Sequence, residues 1–283
     1  MLSVIVENKY KQKLNITNNS EYALLSVSGL TPPPATVNYA VLAGKDGAVF
    51  NSARVEIRNM VLLIAPLNSV EKSRIELYKY FKVKQYIKLY LENNTRSVWI
   101  DGYIETIEGD LYTQNEEIQV SIICCDPYFK DTKTDEYIFS NVINRFSFPF
   151  SIEETPGIPI SELQSNTEIA ITNKSDTETG CIITLLAHGA VSNPTIYNMT
   201  TNENFSLSVN MVTGDEIIID TRSGHKSVYM THEGTTTNIL NNMLENSEWL
   251  NLIVGDNIFS YECSSGSNNL NVMVSIETIY EGM

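Results

Sequence analysis

With 283 residues, 42% of them hydrophobic and 19% charged, the chain is long enough for two cores and lacks the composition of a disordered or fibrous protein. Four cysteines, Cys124, Cys125, Cys181 and Cys263, form no CxxC pair and are too sparse for a disulfide scaffold, so reduced thiols and no metal site are expected. The net charge of -15 is uneven: residues 1–150 carry 16 Lys and Arg against 17 Asp and Glu, and residues 151–283 carry 3 against 17. That split argues against nucleic-acid recognition, which relies on Lys and Arg at phosphates, and places a domain boundary near 130–150.

Along the chain, Met1 to Val6 is apolar but too short for a signal-peptide core, and no later window is long enough to span a bilayer. Synthesis in a cytoplasm, without export or membrane contact, is the expectation. Pro32-Pro33-Pro34 reads as an extended loop, and Gly44-Lys45-Asp46-Gly47 as a turn rather than a phosphate cradle. Pro66 precedes Asn68, which stands three residues before Glu71 as an N-cap with its capping partner. Val70, Arg74, Leu77, Tyr78 and Phe81 then recur at helical spacing, predicting a helix near 68–81 packed on a sheet.

Val98-Ile100-Gly102-Ile104 and Ile118-Val120-Ile122-Cys124 alternate with polar residues, predicting two strands joined by 108–116. The pair Cys124-Cys125 is expected to pack as two half-buried side chains. Residues 131–158 read as a connector. Phe205-Leu207-Val209-Met211 predicts a strand that turns at Thr213-Gly214-Asp215 into Ile217 and Ile219 as a hairpin. A second turn at Arg222-Ser223-Gly224-His225 leads to Val228 and Met230, a shorter helix spans Ile239 to Leu244, and Leu270-Val272-Val274-Ile276 forms the last strand. Many short strands separated by Gly, Asn and Ser predict a sandwich.

No motif for chemistry emerges. His188, His225 and His232 lack companion motifs; Asp220, Ser223 and His225 have triad residue types but share one hairpin, where alternating directions separate them. Glu153 and Glu154 are adjacent on an extended segment and face opposite ways. A structural protein without cofactor, rather than an enzyme, is the expectation.

Several stretches resemble the distal tail protein family of long-tailed phages: Gly29-Leu30, Pro32-Pro33, Gly44 to Gly47, Arg58-Asn59-Met60-Val61-Leu62, and the helix from Glu71 to Phe81. Most specific is the run from Trp99-Ile100-Asp101-Gly102 to Cys124-Cys125-Asp126-Pro127-Tyr128-Phe129. Phe148-Pro149-Phe150, Asn193-Pro194, Gly214-Asp215, Ile219-Asp220-Thr221, and Trp249-Leu250 with Gly255-Asp256-Asn257 follow in the family's order.

The resemblance implies a mainly β protein. Residues 1–132 would be a ring-forming, tail-tube-like β domain with one packed helix, and 133–283 a galectin-like β-sandwich, with 133–150 as connector. It implies a homo-hexameric ring at the virion tail tip, assembled in the host cytoplasm. That ring would join the tail tube protein to a hub, lysin or receptor-binding protein, and pass DNA through its lumen without specific binding. Candidate interface residues are Arg58, Asn59, Arg74, Tyr78, Asp126, Pro127, Tyr128 and Phe129, with Arg58 and Arg74 as candidates for interface ion pairs. The alternative is a carbohydrate-binding module for host cell-wall polysaccharide. Against it, Trp249 is followed by Leu250 where galectins have Gly after the stacking Trp.

Overall fold

The computed structural model describes residues 2–17, 20–109, 116–143, 162–165 and 168–283. The chain forms two compact units: 1–132 together with 279–283, and 133–278. The elements of the first are β1 (Ser3–Asn8), β2 (Lys13–Asn15), β3 (Tyr22–Ser28), β4 (Ala35–Ala40), β5 (Val49–Val55), β6 (Arg58–Pro66), α1 (Val70–Tyr80), β7 (Tyr86–Glu92), β8 (Ser97–Gly109), β9 (Ile118–Cys124) and the start of β10 (Phe129–Ile138). Antiparallel pairing runs β2-β1-β7-β8, then β8-β9-β6-β3.

The predicted alternation is what builds this core, because successive strand side chains point to opposite faces. Val4 and Val6, Met60, Leu62 and Ile64, Ile87, Leu89 and Leu91, Val98 and Ile100, and Ile118, Val120 and Ile122 are all closed to solvent. Leu77 and Phe81 of the helical segment join the same core, four residues apart and hence on one helix side. The Tyr80 hydroxyl ties the helix end to the sheet by donating to the Val6 carbonyl at 2.6 Å. Gly102 is needed where β9 runs beside β8, since a Cβ there would lie 2.5 Å from the Ile123 carbonyl.

Three local expectations are corrected. The helix is capped at Ser69, in the left-handed region at φ 44 and without a side-chain cap, while Asn68 donates its side-chain amide to the Ser20 carbonyl at 3.0 Å. Residues 131–138 of the supposed connector are strand, the rest of β10. Phe148-Pro149-Phe150 and Glu153-Glu154 lie outside the described residues. The vicinal cysteines divide, with Cys124 buried and Cys125 exposed beyond the strand end.

The second unit continues with β11 (Ser140–Ile143), β12 (Glu162–Ser165), β13 (Glu168–Asn173), β14 (Thr179–Gly180), β15 (Ile182–Ala187), β16 (Val191–Asn198), β17 (Glu203–Ser206) and β18 (Asn210–Met211). After these come β19 (Glu216–Asp220), β20 (Ser227–His232), β21 (Thr235–Asn238), β22 (Asn251–Leu252), β23 (Gly255–Ser265) and β24 (Leu270–Tyr280). One sheet has the order β10-β24-β15-β19-β20-β21 and the other β13-β23-β16-β17, with β18 beside β16. Ile183, Ile217, Val228, Val272 and Val274 from the first meet Ile171, Ile196, Phe205 and Phe259 from the second in one dry core, which makes a β-sandwich.

Here too two expectations give way. The turn at Thr213-Gly214-Asp215 does not close a hairpin: β18 pairs with β16, β19 pairs with β15 and β20, and the turn carries the chain from one sheet to the other. Inward-facing residues alternate identically in both arrangements, so the pattern cannot separate them. The helix expected over 239–244 is a single 3-10 turn, Leu240–Asn242, because Met243 returns to extended backbone and bridges to Leu207.

Candidate assembly surface

Among the described residues β4 and β5 form a ribbon that pairs only with itself, from Ala35↔Val55 to Ala40↔Val49, with a register shift between Asn38 and Tyr39. All seven residues of β5 are exposed, and so are five of the six in β4. Apolar side chains dominate the outer part: Tyr39 is 63% exposed and stands opposite Phe50 at 64%, with Val41 at 72% beyond them. Val37, Leu42, Val49, Val55 and Ile57 extend the patch. A two-stranded hairpin alone is marginal in water, and an apolar patch of this kind marks a place where another surface docks. The sequence carried the signal, an apolar run on either side of the Gly44-Lys45-Asp46-Gly47 turn. Its first side alternates as Val37, Tyr39 and Val41, while its second begins with Val49 and Phe50 adjacent, and the chain leaves both strands exposed.

Below the ribbon lies Arg58, expected at an interface but found inside. It is 2% exposed and forms no ion pair among the described contacts. Its guanidinium stacks 4.3 Å over Phe129 and donates to four main-chain carbonyls: Nε to Pro127 at 2.6 Å, Nη1 to Gly29 and to Thr31 at 2.7 Å, and Nη2 to Glu281 at 2.6 Å. Burial pulls its pKa below the ordinary arginine value, and four of its five N–H donors are used by these carbonyls. Phe129 is likewise fully buried, so these two residues belong to the unit's own core rather than its surface. The physical reason is that a planar five-donor cation can close several loop ends at once.

The remaining candidates scatter. Asn59 is exposed on β6 and accepts from the Ser121 hydroxyl at 3.0 Å. Asp126 makes a turn by accepting from the Tyr128 amide at 3.3 Å and pairs with Lys130 at 2.9 Å. Pro127 ends the β9 side of that turn, and burial raises the Tyr128 hydroxyl pKa. Arg74 pairs within the chain with Glu116 at 2.6 Å, a contact that raises the guanidinium pKa, while Tyr78 is partly exposed on α1. An open groove of about 620 Å³ runs along this helix between Glu21, Glu71, Lys72, Ile75, Glu76 and Lys79. Its charged, shallow walls differ from the enclosed apolar pockets that hold small molecules.

In the sandwich, and at Cys124 of the first unit, the residues with chemical potential are occupied structurally. Asp220 holds Arg222 at 2.7 Å, and His232 Nδ1 lies 2.6 Å from a carboxylate oxygen of Asp215, which raises the imidazole pKa. Burial pushes the Cys124 and Cys181 thiols up to about 12, where a thiol is a poor nucleophile. Trp249 packs against Phe205 at 5.3 Å between ring centres and carries Lys226 over its ring, so it is a wall of the core. Among the described residues no three His, Cys, Asp or Glu side chains converge as metal ligands.

Residues 174–277 match the family model described as siphovirus-type tail component, C-terminal domain. Among solved structures, the chain is similar to the Dit protein (gp 19.1) of phage SPP1, described as a paradigm of the hub adsorption apparatus in phages infecting Gram-positive hosts. The TM-score is 0.69 at 10% identity, over 99% of each chain. It is also similar to a chain of the phage P2 baseplate in its activated conformation with Ca, at TM-score 0.55 and 11% identity, over 97% of this chain and 98% of that one. The same baseplate with Sr gives 0.53 and 11%, over 98% of each. A search of curated proteins gives no match.

Proposed function

We propose, from the premise that residues 174–277 are a siphovirus-type tail component C-terminal domain on a chain with the fold of a distal tail protein, that this protein is a structural ring subunit of a phage tail tip. Six copies close head to tail through the first unit. The ring joins the tail tube to the hub or receptor-binding apparatus and lets DNA pass. The observation that carries this reading is the β4-β5 ribbon, whose Tyr39, Val41 and Phe50 stand in water on a single copy. In a head-to-tail ring every copy gives its ribbon to one neighbour and receives one from the other, so no apolar surface is left over when the rotation closes.

Charge favours the same arrangement. The acidic half of the chain, with 3 basic residues against 17 acidic ones, would repel its own copies at a shared interface. The near-neutral half has no such penalty. An acidic or neutral lumen also gives phosphates no row of cations to bind.

The test is a charged residue in the ribbon. Phe50→Asp and Tyr39→Asp are expected to leave the subunit folded, because both side chains are already in solvent, and to abolish the oligomer in sedimentation velocity. Oligomers of unchanged mass in both variants would remove the ribbon, and with it the support for this reading.

A further inference from the structure

We propose that residues 279–283 are a strap that fixes the base of the β4-β5 ribbon, so that readiness for assembly depends on a segment contributed from the far end of the sequence. The inference rests on the ribbon's role in assembly for its functional meaning, but its structural content stands on separate observations.

These residues leave the sandwich unit and belong to the first. Each is held there. The Tyr280 hydroxyl donates to Asp131 at 3.0 Å, and its ring carries the Arg96 guanidinium at 4.1 Å. The Glu281 carbonyl accepts from Arg58 Nη2, the Gly282 carbonyl from Arg96 Nη1, and the Met283 amide donates to the Leu30 carbonyl at 3.0 Å. Gly282 lies so close to the loop that a Cβ would stand 3.2 Å from Pro32 Cδ and 3.3 Å from the Leu30 carbonyl.

The loop held in this way, 29–34, is the ribbon's entry. Gly29 turns in the left-handed region at φ 86, Pro32-Pro33-Pro34 leads into β4, and the Glu56 amide closes the exit by donating to the Pro34 carbonyl at 2.9 Å. Arg58 then joins both sides, since the same guanidinium that holds Glu281 also holds Gly29 and Thr31. Its acceptors are all main-chain carbonyls, so the strap can be released without leaving a carboxylate buried. What is lost is the alignment of the loop. Among the described residues the ribbon's strands pair only with each other, so no ladder to another strand helps this base to fix the ribbon's direction.

The experiment is amide hydrogen exchange on three chains: residues 1–283, a chain ending at Thr278, and Arg96→Gln, each carrying Phe50→Asp so that oligomers do not mask the ribbon. The strap predicts exchange about tenfold faster or more over 29–36 and 54–58 in both altered chains, the size expected for losing one hydrogen bond to a charged group. Exchange in the β15 and β19 core of the sandwich should stay unchanged. Arg96→Gln keeps the test decisive if the shortened chain fails to fold. Unchanged exchange at the ribbon base in the folded variants overturns the strap. The assembly reading is decided apart from it, by the mass of the Phe50→Asp variant against the unaltered protein.

Discussion

Single residues at the ribbon base hold positions that few other side chains fit. Gly29 combines φ 86 with a backbone so close that an added Cβ would stand 2.3 Å from the Asn59 carbonyl. Gly29→Ala must therefore adopt a strained conformation and displace β6, and should lower the unfolding free energy by at least about 2 kcal/mol in urea titration. A second residue couples the sandwich to pH. The raised pKa of His232, hydrogen-bonded to Asp215, means that its protonated form favours the folded state. That stability is fully present below the ordinary pKa of about 6.5 and is lost as pH rises through the raised folded value. Thermal unfolding of the sandwich should thus fall modestly over that window, and His232→Gln should flatten the slope. Arg58 teaches why some of this was hidden. The residue was legible as a candidate, but its acceptors are carbonyls of Gly29, Thr31, Pro127 and Glu281, and a carbonyl has no signature in a sequence.

At the scale of elements, strands with one buried face were readable and those without were not. β9 and β24 alternate as Ile118-Val120-Ile122 and Leu270-Val272-Val274-Ile276, and the structure buries those residues. In the ribbon Val37, Tyr39 and Val41 do alternate at period two, yet the structure leaves them exposed, so alternation alone did not say that this strand has no core of its own to cover it. The chain's change of sheet at Gly214 looked like a hairpin for the complementary reason: both sheets face one core, and alternation reports only which side is dry. The ribbon's exposure also makes a stability prediction. Phe50→Asp should shift the unfolding free energy of the isolated subunit by no more than about 0.5 kcal/mol, as for other surface changes, while removing assembly. A large loss of stability in the dilute subunit would mean that Phe50 packs within its own chain.

For the whole molecule, composition had already separated a near-neutral half from an acidic one, and the two compact units follow that division except at the end, where 279–283 return to the first. Nothing in Tyr280-Glu281-Gly282-Met283 as a string distinguishes a returning strap from the end of a sandwich strand. The division makes physical sense of a ring, with the unit of balanced charge bearing the apolar ribbon and the acidic sandwich kept from its copies. The measurement that tests this most directly is the solution mass of the purified protein by multi-angle light scattering, over a concentration series at two salt strengths. The account predicts one closed species of six copies of the 31.8 kDa chain, persisting at high salt because the contact is apolar. A monomer at every concentration and both salts would contradict it.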